Sequence, residues 1–376
     1  MGESKILVRK IRLGDDKILL DLSKEYGLVL EGGGAKGSFQ VGAWRALKEA
    51  GLKIKGVAGV SVGALNGALI CMDDLEMAER IWENIDYSVV MELEDSFTGM
   101  VKRVVKDRGI DITPLKNLLH ETIDEKRIRE SSCELFASTF SITDKKLLNL
   151  DVKTLPEGEI ENILMASSSL PVFKTEKLGG KYYTDGGGFN NVPLNVLVDR
   201  GYQDIIVIRI YGIGLDRERR VKIPEGTTVY HIAPLEELGG ILEFEKKRSR
   251  KNMVLGYLEA KRLLYGLGGR RYYIYAPENE TFYFNRMMQH TNLFIPYREL
   301  TSEWKGDEPP SQYRFYTEHL LPVLAKQLKL KEGWSYRDLY LMLLEDLALS
   351  HKIFRYRVYT NGELERELRK KMDKPD

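Results

Sequence analysis

The sequence predicts an α/β fold built on a mostly parallel central sheet, followed by a mainly helical C-terminal region. Short apolar runs at 26–30 and 54–60 predict strands, and helical patterns at 38–50 and 62–72 follow them. A strand, helix, strand, helix order indicates parallel strands joined by right-handed crossovers. The first half of the chain therefore supplies the centre of the sheet.

Length, charge and cysteine content narrow the class of protein. The chain has 376 residues, 43% of them hydrophobic, which suffices for a large α/β domain with an appendage. Its 57 basic and 56 acidic residues nearly cancel, so we expect no nucleic-acid partner. Cys71 and Cys133, both in apolar surroundings, indicate buried thiols in a reducing compartment. With no signal-peptide pattern and no run of about 18 apolar residues, we expect a cytoplasmic protein and leave peripheral membrane contact open.

The patterns divide the chain into three predicted segments. Alternating aliphatic residues around Gly14-Asp15-Asp16 predict an N-terminal hairpin within residues 1–22. Residues 23–268 form the α/β domain, and residues 269–376, of unknown role, form the mainly helical region. Further predicted elements are strands at 134–142, 146–152, 182–185, 205–211 and 227–232, and helices at 160–168, 241–264, 313–328 and 336–350. The run Gly266-Leu267-Gly268-Gly269 marks the clearest boundary.

Ser61 lies between the second predicted strand and the second predicted helix, in the run Gly59-Val60-Ser61-Val62-Gly63. Glycines two residues to either side relieve crowding in a sharp turn that exposes the serine side chain. The helix N-terminus behind the serine favours developing negative charge. This context predicts a nucleophile, although the five-residue pattern by itself also occurs in ordinary turns.

A glycine-rich run, Gly32-Gly33-Gly34, closes the first predicted strand. Adjacent parallel strands bring this run and Ser61 to the same edge of the sheet, where such folds bind ligands. The three backbone amides can point at an oxyanion because no side chains stand in the way. We therefore predict that Gly32, Gly33 and Gly34 form the oxyanion hole.

The same run allows a nucleotide-binding alternative. Gly32, Gly34 and Gly37 match G-x-G-x-x-G, the pattern of a dinucleotide-binding oxidoreductase. That site requires an acidic residue near the end of the second strand, where this chain has Val60-Ser61. A P-loop requires Gly-Lys-Ser/Thr in order, but the chain has Lys36-Gly37-Ser38. Both nucleotide sites thus lack a residue that they need.

Asp185 and His231 are the candidates for the base that deprotonates Ser61. Among the five histidines, His231 alone ends a predicted strand in a position suited to a Ser-His-Asp triad. Asp185 ends another strand and precedes Gly186-Gly187-Gly188, so its carboxylate can approach Ser61 at the sheet edge. An ordinary turn residue remains the alternative for Asp185. We favour Asp185 as the base.

Three ordered motifs, Gly32 to Gly37, Gly59 to Gly63 and Asp185 to Gly187, resemble those of the patatin-like phospholipases. The run Ala166-Ser167-Ser168-Ser169-Leu170-Pro171-Val172-Phe173 resembles the family's segment ahead of the aspartate. The resemblance covers roughly residues 24–265 and implies a three-layer α/β sandwich. It also implies a Ser61–Asp185 dyad without histidine, and a phospholipid or other acyl-ester substrate. We expect neither a metal nor a cofactor, because the sequence has no clustered metal ligands.

Two positions depart from the family pattern. Many members carry arginine where this chain has Lys36, a change that keeps the positive charge but loses the planar fork. Gly187 stands where other members have alanine. Neither difference touches the expected dyad. Lys36 is expected to support the glycine loop or an anionic head group, with a solvated lysine as the alternative.

The expected reaction is the hydrolysis of a lipid ester. Asp185 takes the proton of Ser61, the serine forms an acyl-enzyme, and water releases the acid. Basic residues at 246–251 precede an apolar face that includes Tyr257 and Leu258, a pattern that indicates contact with an anionic bilayer or, alternatively, a solvated helix packed on its own core. A catalytically silent lipid-binding protein is a further alternative.

Overall fold

The structure is a computed structural model that describes residues 17–90, 110–171, 173, 177–178, 180–289 and 311–372. Within these residues, Ile18–Leu264 form one compact unit, and Lys17 with the segment from Tyr265 onward forms a second. The division lies next to the glycine run at 266–269. Most of the predicted N-terminal hairpin, residues 1–16, lies outside the described residues, and residues 18–22 form no strand, contrary to the prediction.

The first unit contains a twisted sheet whose core is parallel. Its strands are β1 (Glu25–Leu30), β2 (Lys53–Val60), β3 (Glu134–Ser141), β4 (Lys146–Asp151), β5 (Lys177–Leu178), β6 (Lys181–Asp185), β7 (Asp204–Ile208) and β8 (Thr228–Ile232). Their order is β5-β6-β3-β2-β1-β7-β8, with β4 also paired to β3. Strands β3, β2, β1, β7 and β8 are parallel, whereas β4, β5 and β6 join through antiparallel pairs. The predicted mostly parallel sheet is confirmed.

Helices cover both faces of this sheet. They are α1 (Ser38–Glu49), α2 (Val62–Cys71), α3 (Leu75–Asn84), α4 (Tyr87–Val90), α5 (Thr113–Thr122), α6 (Glu125–Glu130), α7 (Ile160–Ser167), α8 (Leu194–Val198) and α9 (Lys246–Tyr265). Gly67 of α2 packs against Val57 and Leu135 on one face. Ala58 and Phe136, which alternate with those two residues along the strands, pack with α8 on the other face. Helix, sheet and helix form the three predicted layers.

The pairing of β3 determines where the site lies. Its first half pairs with β2, so that Ser138 faces Val60, and its end pairs with β6, so that Thr139 faces Asp185. The carboxyl end of β2 and the end of β6 therefore meet beside two consecutive residues of β3. Ser61 comes directly after Val60. The sheet thus brings Ser61 and Asp185 together from positions far apart in sequence.

The second unit is mainly helical and has its own core. Its helices are α10 (Glu280–Gln289), α11 (Leu321–Gln327), α12 (Tyr336–Ser350) and α13 (Asn361–Met372). A helical turn (Gln312–Arg314) and a π-helix (Phe315–Leu320) lead into α11. Two short parallel strands, β9 (Tyr273–Tyr275) and β10 (Val358–Thr360), were not predicted. Tyr340 and Leu344 of α12 are fully buried in an apolar cluster. Within the described residues, every helix is too short or too polar to cross a bilayer.

Candidate active site

Ser61 occupies a sharp turn between β2 and α2. Its backbone has φ 55° and ψ −132°, a conformation that residues with a side chain seldom adopt. The flanking glycines make this turn possible: a Cβ atom on Gly59 would overlap the backbone of Gly63, and one on Gly63 would overlap the carbonyl oxygen of Leu30. The turn therefore needs glycine at both flanking positions, as the motif indicates.

A hydroxyl group holds the strained backbone of Ser61. The backbone N–H of Ser61 donates to Oγ of Ser167 at 2.9 Å. The Ser167 hydroxyl donates in turn to the carbonyl oxygen of Ser138 at 2.7 Å. Ser167 ends α7 and lies in the stretch ahead of Asp185, and Ser138 belongs to β3. The Ser61 amide is thus occupied, and helix α7 is linked through one side chain to both the elbow and the sheet.

Asp185 is buried beside the serine, with 6% of its surface exposed. Burial raises the pKa of its carboxyl group to about 6. The neighbouring Ser61 hydroxyl and the Gly187 N–H, which donates to Asp185 at 2.7 Å, both lower this pKa and so act in the opposite direction. Gly186 is also required here, because a Cβ atom would lie 2.7 Å from the carbonyl oxygen of Ser138. An acidic group with a raised pKa, in contact with a serine hydroxyl, has the properties of a general base.

The amides of the glycine loop differ in what they bind. The Gly32 N–H donates to the carbonyl oxygen of Asn191 at 3.2 Å, so it is engaged within the fold. The N–H groups of Gly33 and Gly34 have no acceptor among the described residues. Gly34 has φ 54°, a left-handed conformation that suits glycine. Two of the three predicted oxyanion-hole amides are therefore free to bind a ligand.

The rest of the glycine loop is held tightly in place. Lys36 donates from Nζ to the carbonyl oxygen of Tyr211 at 2.6 Å, which gives this lysine a structural partner. Gly37 packs so closely on the elbow that a Cβ atom would overlap the side chain of Val62. The N–H of Ala35 donates to the carbonyl oxygen of Ile241 at 2.8 Å. These contacts fix the loop from three different segments.

Glu31 is a site residue that the sequence interpretation missed. Its buried carboxylate accepts hydrogen bonds from the backbone amides of Ile210 and Tyr211 at 2.6 and 2.9 Å, and from Nε of Arg209 at 3.1 Å. Asn191 donates to its other oxygen at 3.3 Å. An acidic residue directly after an apolar strand was the available signal. Glu31 anchors the start of the glycine loop to the segment after β7.

His231 has a different partner from the one that a triad requires. Its Nε2 contacts the carboxylate of Glu218, which also binds Arg209. Among the described residues, no hydrogen bond joins His231 to Ser61 or Asp185. The arrangement brings the serine to the aspartate and leaves this histidine in a separate ion-pair network.

An apolar cleft opens beside Ser61. It contains about 760 Å³ of empty space, a figure that includes the open mouth of the cleft. Its walls are predominantly aliphatic and aromatic, and include Leu65, Leu69, Trp82, Leu115, Leu119 and Phe244. The hydroxyl of Ser168 also lines it, and this buried group has no hydrogen-bond partner in the described part of the chain. The cleft thus suits a long apolar group that ends in a polar one.

The described residues contain no cluster of three or more His, Cys, Asp or Glu side chains that could hold a metal ion.

The part of the chain that carries this site is similar to known proteins. The family model described as patatin-like phospholipase matches residues 28–198, a range that contains Ser61, Asp185 and the glycine loop. Neuropathy target esterase sws of Drosophila melanogaster is 29% identical over 191 residues, covering 49% of this chain and 13% of that protein. Patatin-like phospholipase domain-containing protein 7 of Rattus norvegicus is 30% identical over 192 residues, with the same two coverages. This chain therefore spans only about an eighth of these relatives.

Among solved structures, VipD from Legionella pneumophila aligns over 92% of this chain and 86% of its own, with 15% identity and a TM-score of 0.41. The type III effector protein ExoU aligns over 93% of this chain and 72% of its own, with 13% identity and a TM-score of 0.35. The family of residues 28–198 is indicated by the family model and the curated relatives, and not by these two structures. Residues 28–198 of this chain match the patatin-like phospholipase family, and the curated relatives are similar to it over stretches of about the same length.

Proposed function

We propose that this protein is a lipid acyl hydrolase that cleaves carboxylic esters of phospholipids or other lipids, with Ser61 as nucleophile and Asp185 as proton acceptor. The main support is the pairing of two groups. The buried carboxyl group of Asp185 has a raised pKa and lies beside the hydroxyl of Ser61, which occupies a strained strand-to-helix turn. The patatin-like domain supports the substrate class. The reaction follows from what each group can do.

In the acylation step, the carboxylate of Asp185 accepts the proton of Ser61 as Oγ attacks the ester carbonyl carbon. Negative charge then develops on the former carbonyl oxygen. The free N–H groups of Gly33 and Gly34 are the donors that we propose for this oxyanion. Gly32 is not among these donors, because its N–H is already bound to the carbonyl oxygen of Asn191. When the C–O bond breaks, the protonated Asp185 returns its proton to the leaving alcohol.

Deacylation repeats these steps with water as the nucleophile. Asp185 accepts a proton from water, the hydroxide oxygen attacks the acyl carbon, and the Ser61 oxygen leaves with the proton that Asp185 returns. The products are a fatty acid and the free enzyme. The pKa of about 6 suits both directions of proton transfer near neutral pH.

The apolar cleft is the proposed site of the acyl chain. Its walls exclude water from the chain, and burial of each methylene contributes about 0.8 kcal/mol. The Ser168 hydroxyl, which has no partner among the described residues, can donate to an ester oxygen at the polar end. We propose that the enzyme acts at a membrane surface and is cytoplasmic, as two buried free thiols, Cys71 and Cys133, support.

Covalent labelling and hydrolysis test the proposal together. We expect a fluorophosphonate to label the wild-type protein and the His231→Ala variant, and not Ser61→Ala. Asp185→Asn should lower the labelling rate and the hydrolysis of a short-chain ester at least a hundredfold. Retained hydrolysis in Ser61→Ala would exclude this nucleophile. Loss of activity in His231→Ala with full activity in Asp185→Asn would exclude the proposed base.

The two alternatives predict other outcomes. A dinucleotide-binding oxidoreductase would bind a nicotinamide dinucleotide saturably in a fluorescence titration and would not depend on Ser61. A catalytically silent lipid-binding protein would retain fatty acid and show no turnover of any ester.

A further inference from the structure

The segment that follows β7 carries an unusual concentration of exposed apolar side chains. Residues 211–220, which we call the rim loop, include Tyr211, Ile213 and Leu215, with exposed fractions of 55%, 77% and 41%. Because β7 is parallel to β1 and β2, the rim loop begins at the same edge of the sheet as the glycine loop and Ser61. These side chains therefore stand next to the proposed catalytic site.

The backbone of the rim loop is fixed although its side chains are exposed. The Leu215 N–H donates to the carbonyl oxygen of Gly187 at 3.0 Å, and the Leu215 carbonyl accepts from the Asn191 N–H at 2.9 Å. Gly212 lies so close to Gly32 that a Cβ atom would overlap its carbonyl oxygen. A rigid loop that holds apolar side chains in water is a marker of an interaction surface.

The charges on the rim loop are unbalanced. Its two acidic residues, Asp216 and Glu218, are both ion-paired with the partly buried guanidinium of Arg209. Its three basic residues, Arg217, Arg219 and Arg220, are exposed. Arg219 also lies close enough to Asp216 to help lower the pKa of that carboxyl group, after its ion pair with Arg209. The loop thus presents apolar side chains with exposed cations beside them.

Helix α9, the surface that the sequence suggested for membrane contact, differs in both respects. Tyr257 and Leu258 of its apolar face are buried in the first unit. Its cations are largely neutralised: Lys246 pairs with Asp86, Arg248 with Glu243 and Lys251 with Glu236. The solvated-helix alternative therefore describes α9 better than membrane contact does.

We propose that the rim loop docks the protein on an anionic lipid bilayer, with Tyr211, Ile213 and Leu215 entering the headgroup region and Arg217, Arg219 and Arg220 contacting lipid phosphates. The inference extends the proposed function, because docking through this loop places the mouth of the site at the surface that contains its substrate. Apolar insertion and attraction of cations to anionic lipids are the two contributions that hold a protein at such an interface.

Vesicle binding tests the surface separately from catalysis. Purified full-length protein is sedimented with vesicles made of equal parts phosphatidylcholine and phosphatidylserine, and with vesicles of phosphatidylcholine alone. We expect Ile213→Asp and the double variant Arg219→Gln/Arg220→Gln each to weaken binding to the anionic vesicles about tenfold or more. Binding by the double variant should also lose its dependence on salt.

Matched variants control for general effects of charge and apolarity. Leu19→Asp changes an equally exposed side chain that precedes the amino end of β1, and Lys246→Gln/Lys247→Gln changes two cations on α9. Both controls should bind anionic vesicles like the wild type. Hydrolysis of a soluble short-chain ester should be unchanged in every variant.

The outcomes separate the two proposals. The rim loop is not the docking surface if both rim variants bind anionic vesicles like the wild type, or if the α9 variant alone loses binding. In either case a protein partner would be the occupant to seek. Absence of ester hydrolysis in the wild type would contradict the proposed function, while the vesicle measurements would still decide the docking surface.

Discussion

Opposing influences act on the carboxyl group of Asp185. Burial disfavours its charged form, whereas the Ser61 hydroxyl and the Gly187 amide favour that form, and burial dominates. A carboxylate with an ordinary pKa would be a weaker base toward serine. The fold therefore increases the basicity of Asp185 by removing it from water.

The activity should follow the ionisation of this group. Since the base must be deprotonated and its pKa is about 6, hydrolysis of a soluble ester should rise as the pH increases through about 6 and then level off. The measurement is kcat/KM against pH, with the rate of fluorophosphonate labelling as a parallel readout. A profile that rises only at the ordinary pKa of an aspartate would contradict the raised value.

The same shift predicts a stability change in Asp185→Asn. The folded pKa is raised above the unfolded value near 3.8, so the ionised group destabilises the fold above about pH 6 and has no such effect below the unfolded pKa. The variant should therefore be more stable by roughly 1–3 kcal/mol at neutral pH, with the difference vanishing in acid. Urea denaturation at both pH values measures it; equal stability at neutral pH would argue against a strained charge.

Ser167 is expected to position the nucleophile. Ser167→Ala leaves the buried Ser61 N–H without its acceptor, which costs about 1–3 kcal/mol of unfolding free energy. A misplaced nucleophile should lower kcat about tenfold and leave KM nearly unchanged. Ser167→Thr keeps the hydroxyl and should restore part of kcat. An equal loss of stability in Ser167→Ala without a change in kcat would indicate a purely structural role.

At the scale of elements, the sequence predicts well what local patterns determine. The strands and helices around Ser61 follow from apolar periodicity and glycine positions, and the structure confirms them within a residue or two. The predicted start of α9, at residue 241, was wrong, because the helix begins at Lys246. The carbonyl oxygen of Ile241 accepts a hydrogen bond from the Ala35 N–H, which holds residues 241–245 against the glycine loop and outside the helix. Strand β9 was missed because three residues carry too short a pattern.

The site was predictable only in part for a related reason. Ser61 and Asp185 belong to motifs with recognisable neighbours, whereas Glu31 and Ser167 act through partners that the sheet brings from distant positions. The register of β3 between β2 and β6 creates those contacts, and no single stretch of sequence contains it. The engaged amide of Gly32 likewise depends on a residue, Asn191, from another segment.

The crossing of α1 and α9 should be sensitive to a single methyl group. A Cβ atom on Gly42 would overlap the carbonyl oxygen of Met253, and one on Gly256 would overlap that of Phe39. We expect Gly42→Ala and Gly256→Ala each to destabilise the fold by about 2 kcal/mol or more. Gly362→Ala is the matched control, because its nearest neighbour lies 3.8 Å away at a flexible arginine tip. The melting temperatures of all three variants test this expectation. Equal melting temperatures for the three variants would contradict the close contact between α1 and α9.

At the scale of the whole molecule, each of the two units has its own apolar core. Leu197 is buried in the core of the first unit and Leu344 in that of the second. We expect Leu197→Ala and Leu344→Ala each to cost about 2–5 kcal/mol, in different calorimetric transitions. Esterase loss on heating should follow the transition that Leu197→Ala lowers. A single transition shifted by both variants would show instead that the units unfold together.

The rim loop has one further consequence, which concerns its length. Through Gly212 it packs against Gly32, and through Leu215 it is hydrogen-bonded to Gly187, so one short connection joins the glycine loop to the turn that follows Asp185. Insertion or deletion of a residue between these two contacts would displace Gly32 relative to Gly187, and with them the two sides of the site. We therefore expect this chain to tolerate changes of side chain in the rim loop better than any change in the number of residues between Gly212 and Leu215.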